Sequence, residues 1–185
     1  LLQFHPCSEI NHHKSLSLFG GWKNITVIDT LTVDDIFDKR VSFVPWGVNV
    51  KDIPKCDLVF GHFELTDFKM NNFKICDHGD SPESLLDKSK MIITGHFHLR
   101  SERKYDEGKI LYLGNPFQMD FGDAESRKGY YILDFDDIQN PKFTENKVSP
   151  KHIKLLLSDL IKHDGVTPEL KQLIKGNIIK LVIDV

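Results

Sequence analysis

Short apolar runs recur along this chain, separated by polar segments rich in turn-forming residues. Ile25–Ile28, Val41–Val44, Asp57–Phe60 and Met91–Thr94 read as strands; Ile110–Leu113 and Tyr130–Phe135, each next to a glycine, read as two more. Between the third and fourth runs, Ser81-Pro82-Glu83-Ser84 opens a helix, with a serine cap and proline at the first helical position. Strands separated by helical or loop segments predict a layered α/β domain. The pattern changes near Asp136, where Asp136, Asp137, Asn140 and Pro141 form a polar joint. Beyond it Ser149-Pro150 opens a second helix, with Ile153, Leu156, Leu157, Leu160 and Ile161 on one face and Gly165 at its end. Thr167-Pro168 opens a third, through Leu170, Leu173 and Ile174 to Gly176, and Ile178–Val185 follows as a strand.

Composition narrows the class. The 185 residues are 40% hydrophobic and 28% charged, with 13 phenylalanines, which is a core-forming balance rather than a disordered one. No apolar run approaches the ~18 residues of a membrane span, so no membrane association is expected. Cys7, Cys56 and Cys76 have no close pairing. That argues against a disulfide framework or a Cys-x-x-Cys zinc site, and predicts a reducing, cytoplasmic setting. The net charge of −3 is uneven: residues 138–185 hold eight lysines and five acids, so this segment is basic and the remainder acidic. An acidic body argues against a generic nucleic-acid coat, whereas the basic tail leaves a local contact open. The chain starts at Leu1 and stops at Val185 inside a predicted strand, so it is expected to be part of a longer unit.

The candidate chemistry lies in the histidines. Leu58-Val59-Phe60-Gly61-His62-Phe63 is echoed by Ile92-Ile93-Thr94-Gly95-His96-Phe97. Each is a buried-type strand followed by Gly-His, and the segment between them is long enough to make the strands parallel neighbours. Ligands of such sheets bind beyond the carboxyl ends of the strands. His98 follows His96 by two residues, so in extended backbone both rings face one side. Three imidazoles then converge, a donor set suited to first-row divalent metals.

These residues resemble the calcineurin-like metallophosphoesterases, and within them the nuclease subunits of double-strand-break repair and phage recombination exonuclease complexes. Gly61-His62, Gly95-His96-Phe97-His98, Tyr112-Leu113-Gly114-Asn115-Pro116-Phe117 and Lys128-Gly129-Tyr130-Tyr131 carry the resemblance, which covers roughly residues 10–135. It implies a layered β-sandwich flanked by helices, here lacking its first strands. Residues 1–137 would be the partial catalytic domain and 138–185 the start of a small α+β DNA-binding cap. It implies that His62, His96 and Asn11 ligate one metal and His98 a second, and that His12 is the acid for the leaving oxygen. Two manganese ions are expected, with magnesium, iron or zinc as alternatives. The sequence departs from the family pattern at Ile10-Asn11-His12-His13, where the family has Gly-Asn-His-Asp. The upstream Asp-x-His and Gly-Asp-x-x-Asp motifs are absent from it.

The function so implied is metal-dependent phosphodiester hydrolysis on DNA, by an exonuclease or endonuclease subunit with an ATPase partner, located in the cytoplasm or in a phage host's cytoplasm. Without the carboxylate motifs, the isolated chain is expected to be inactive. Two other readings stand beside this one: a non-catalytic or split-gene fragment that binds a chain carrying the missing motifs, and a small-molecule phosphatase or phosphodiesterase. Pairing of two copies is left open, and no DNA-contacting residue is singled out. Arg100, Arg103 and Lys104 read as a solvated hairpin, Phe63, Phe97 and Phe117 as core, and Asp77-His78-Gly79-Asp80 as a turn.

Overall fold

Four neighbouring parallel strands dominate the architecture, as the continuous apolar runs require. The computed structural model describes residues 19–71, 74–163 and 165–184. It divides into two units, one running to Gly114 and including Leu133–Lys142, the other comprising Asn115–Ile132 and the chain from Phe143 onward.

The first unit is an α/β fold around a mixed six-stranded sheet. Its strands are β1 (Thr32–Ile36), β2 (Lys39–Val44), β3 (Leu58–His62), β4 (Met91–Gly95), β5 (Ser101–Lys104) and β6 (Lys109–Tyr112), in the order β1-β2-β3-β4-β6-β5. β2, β3, β4 and β6 run parallel, while β1 and β5 pair antiparallel with the strands next to them in sequence. Val41, Val44, Leu58, Val59, Met91, Ile92, Ile110 and Leu111 are fully buried. Burial on both faces is why these strands read as unbroken apolar runs rather than alternating ones. The helix α1 (Pro82–Leu86) forms where the sequence predicts it: Ser81 Oγ accepts from Ser84 N–H at 3.3 Å and Pro82 occupies the first turn. Its Leu85 and Leu86 join the core with Phe63, Phe68, Phe97 and Tyr112.

The second unit holds two small sheets. β7 (Gly129–Ile132) pairs with β8 (Lys142–Glu145), and β9 (His152–Leu156) pairs in parallel with β10 (Ile178–Val182) across α2 (Leu157–Lys162) and α3 (Pro168–Ile174). Among the described residues no helix is long and apolar enough to cross a membrane.

Three expectations are corrected. Ile25–Ile28 forms no strand; the edge strand is Thr32–Ile36, whose exposed Asp34 and Asp35 hide it from any apolar pattern. The strand expected over Tyr130–Phe135 ends at Ile132, and Asp134 caps a 3-10 turn at Phe135–Asp137 by accepting from Asp136 N–H at 3.0 Å. The helix expected from Ser149-Pro150 is a strand first: His152–Leu156 pairs with β10, and only Leu157–Lys162 is helical. Asn177 decides this, because its side-chain oxygen accepts from Lys151 N–H at 2.7 Å while Ile178 N–H donates to Lys151 O at 2.8 Å. That latch starts a parallel ladder, and helical spacing alone carries no information about it.

Within the second unit Lys128 Nζ lies 2.5 Å from Asp123 Oδ1, both side chains almost fully buried. Burial pushes the Asp123 carboxyl up, but hydrogen bonds from Lys128 and from Met119 N–H outweigh it and hold the carboxyl below its usual range. A carboxyl depressed by folding stabilises the fold above about pH 4 and loses that contribution as acid protonates it. Lys128→Met should cost about 3 kcal/mol or more by leaving a buried charge without its partner. Urea denaturation at neutral pH measures this, and the cost should shrink when the same pair of proteins is compared below pH 3.

Candidate metal centre

The parallel register brings two sequence-distant histidines together. His62 lies opposite Gly95, so the Gly-His ends of β3 and β4 sit side by side. His62 Nε2 is 3.1 Å from His96 Nδ1, and the rings meet edge to face at 5.1 Å. Trp46, two residues past the end of β2, stacks on His96 with centroids 4.9 Å apart and planes 19° apart. Three neighbouring strands thus contribute to one cluster at their carboxyl ends, the place where parallel sheets bind ligands.

The backbone is shaped for this cluster. His96 has φ +95°, a left-handed conformation that costs a non-glycine residue of order 1–3 kcal/mol and is tolerated where surroundings hold it. Gly61 is required by packing, because a Cβ there would lie 2.0 Å from the Phe63 ring. Phe63 N–H donates to Thr94 Oγ1 at 3.0 Å. Tyr112 Oη accepts from Leu65 N–H at 3.2 Å and donates to Phe63 O at 2.9 Å. Burial pushes the Tyr112 hydroxyl far above its usual range, so it remains protonated and keeps donating. Two buried side chains therefore pin the loop that follows His62.

That loop presents Glu64. Its Oε1 lies 3.4 Å from His96 Nε2 and 3.0 Å from His78 Nε2, while Asp77 Oδ1 lies 2.8 Å from His78 Nδ1. The Asp77 hydrogen bond, reinforced by the Glu64 charge, raises the His78 pKa above its ordinary value. Sequence reasoning missed Glu64 and Trp46; the His-x-Glu spacing after Gly61 was the signal for the first, since residues two apart in extended chain share a side.

The remaining candidates fall as follows. His98 is exposed, and the positive φ of His96 means that the His96–His98 stretch is not the extended backbone expected. Asn11 and His12 lie outside the described residues. Arg103, on the β5–β6 hairpin, donates to Asp67 O and lies over the Phe68 ring at 4.6 Å. Phe63 and Phe97 are buried in the core as expected, whereas Phe117 is exposed, because it lies in a bend beyond the end of β6 rather than on a strand. Asn115 donates to Asp123 Oδ2 at 3.4 Å within the second unit.

No family model matches the chain. It is 26% identical over 138 residues to exonuclease subunit 1 of Enterobacteria phage T4, a match covering 70% of this chain and 39% of that protein. The matched stretch is thus about two-fifths of the relative's length, and the relation is a distant one.

In metal-free protein His78 should titrate above the ordinary histidine value of about 6.5. Both Asp77→Asn and Glu64→Gln should lower it, as read by NMR of the imidazole protons; a titration unmoved by Asp77→Asn would contradict the geometry.

Proposed function

We propose that this chain is part of a metal-dependent nuclease acting on DNA in recombination or repair, built on the calcineurin-like metallophosphoesterase layering. The observation that carries the reading is the pair of strand-end imidazoles, His62 Nε2 at 3.1 Å from His96 Nδ1, in a chain similar to a phage exonuclease subunit. Without an ion, one of these two nitrogens must hold a proton between them. With bonds of about 2.1 Å at right angles, as in octahedral coordination, a divalent ion separates neighbouring ligand nitrogens by about 3 Å, so the two donors fit one. Imidazole suits manganese, iron and zinc alike, and manganese is the expected metal.

In this reading His62 and His96 hold one ion together with Asn11, and His98 holds a second. Bound metal supplies charge stabilisation and water activation at a phosphodiester. The chain's own residues set up the donors. The Glu64 carboxylate, 3.4 Å from His96 Nε2, favours a proton on that nitrogen, which leaves Nδ1 as the lone-pair nitrogen facing His62. Trp46 stacking restrains the His96 ring against rotation. His12 is the acid that protonates the leaving oxygen. Residues 138–185 begin a DNA-contacting cap, whose lysines meet phosphate without sequence preference. An ATPase subunit is the expected partner.

Two divalent ions bring four positive charges, and the carboxylate beside these histidines is Glu64. Hard cations prefer carboxylate oxygen, so the chain by itself should cleave DNA poorly. A segment carrying Asp-x-His and Gly-Asp-x-x-Asp motifs, added in trans or fused, should raise manganese-dependent cleavage of linear DNA. His62→Ala or His96→Ala should then lower that activity by about 100-fold or more. Full activity in both variants would overturn the assignment, as would robust cleavage by the chain alone for the claim of missing carboxylates.

A further inference from the structure

We propose a second cation site, built by Glu64, Cys76 and His78 and suited to zinc. A Glu64 carboxylate oxygen, the Cys76 sulfur and a His78 ring nitrogen all lie within 4.8 Å of one another. Glu64 Oε1 is 3.0 Å from His78 Nε2, the ring nitrogen that faces it. Zinc bonded at about 2.0–2.3 Å brings tetrahedral ligand atoms to roughly 3.3–3.7 Å, so the site closes on an ion by side-chain adjustments on the order of an ångström.

The ligands sit on two backbone segments that are laced together. Asp80 N–H donates to Glu64 O at 2.9 Å and Thr66 N–H to Asp80 O at 3.1 Å. Asp67 N–H donates to Cys76 O, and Cys76 N–H to Phe68 O, each at 2.8 Å. Gly79, at φ +88°, permits the close approach: a Cβ there would lie 2.1 Å from Glu64 O. The three donors are therefore held near one another before any ion arrives, which limits the ordering cost of binding.

The chemistry selects the ion. One thiolate, one carboxylate and one neutral imidazole balance a divalent charge and form a mixed S/N/O set that suits zinc and disfavours manganese or magnesium. On binding, the Cys76 thiol and the His78 nitrogen facing the ion each give up a proton to solvent. Cys76 is buried, where a thiolate needs a counter-charge to be stable. Asp77 accepts from His78 Nδ1 and so directs Nε2 towards Glu64, the carboxylate–histidine–metal arrangement that orients zinc ligands. Three protein donors leave the fourth position to water.

This site stands on different donors from the His62–His96 pair, and cobalt(II) separates the two, because a coordinated thiolate gives cobalt a charge-transfer absorption in the near ultraviolet that imidazole does not. Titrating the 185-residue chain with cobalt(II) should produce that absorption at one equivalent, and zinc should displace it. Asp77→Asn should weaken cobalt binding about tenfold. Cys76→Ser and His78→Ala should abolish the absorption, whereas His62→Ala should keep it. His78 is exposed, so His78→Ala decides the matter if the buried Cys76→Ser variant fails to fold. Absence of the thiolate absorption, or its survival in His78→Ala, would overturn the proposal.

Discussion

The register between β3 and β4 is the constraint on which the candidate centre depends. Side-chain direction in a strand alternates, so a slip of one residue would turn His62 away from His96. The slip is resisted because Val59 and Ile92, paired across the same ladder, are both fully buried. Core packing thereby fixes the position of polar groups at the strand ends. The sheet continues the same logic on either side: β2 delivers Trp46 to the cluster, and β6 delivers Tyr112 to the loop behind it.

Much of this was legible in the chain, for a physical reason. A parallel strand buried on both faces must be apolar along its length, so β2, β3, β4 and β6 stand out as uninterrupted runs. The repeated Gly-His after β3 and β4 marks their shared end. The edge strands β1 and β5 did not stand out, because Thr32–Ile36 and Ser101–Lys104 are held by hairpin hydrogen bonds to a neighbour and expose polar side chains. The start of the second helix was misjudged for a related reason. A parallel ladder between β9 and β10 joins residues 26 positions apart, such as His152 and Ile178, and the spacing inside one segment does not contain it.

Glu64 and His78 were harder still. Neither belongs to a strand or helix, and their meeting depends on the folding back of the chain between Glu64 and Asp80. Such a loop is built from turn hydrogen bonds and one left-handed glycine, which leave little periodic trace. What remained visible was local: a carboxylate two residues after His62 and an Asp-His-Gly-Asp turn at 77–80.

Glu64 also ties the two candidate centres together. Its carboxylate faces His96 on one side and His78 on the other, from a position about three-quarters buried. A carboxylate oxygen that binds a cation directly is a weaker acceptor for a neighbouring N–H, because the cation draws its electron density. An ion held through Glu64, Cys76 and His78 would therefore weaken the attraction that favours a proton on His96 Nε2 and so directs its Nδ1 towards His62. An ion held by His62 and His96 would make His96 Nε2–H more positive and strengthen the same attraction, drawing Glu64 away from His78. By linkage the two effects would be equal in free energy, so occupancy of either centre would disfavour the other. The loop after β3 is placed to carry that coupling because Thr94 and Tyr112 fix its backbone and leave the Glu64 side chain as the part free to respond.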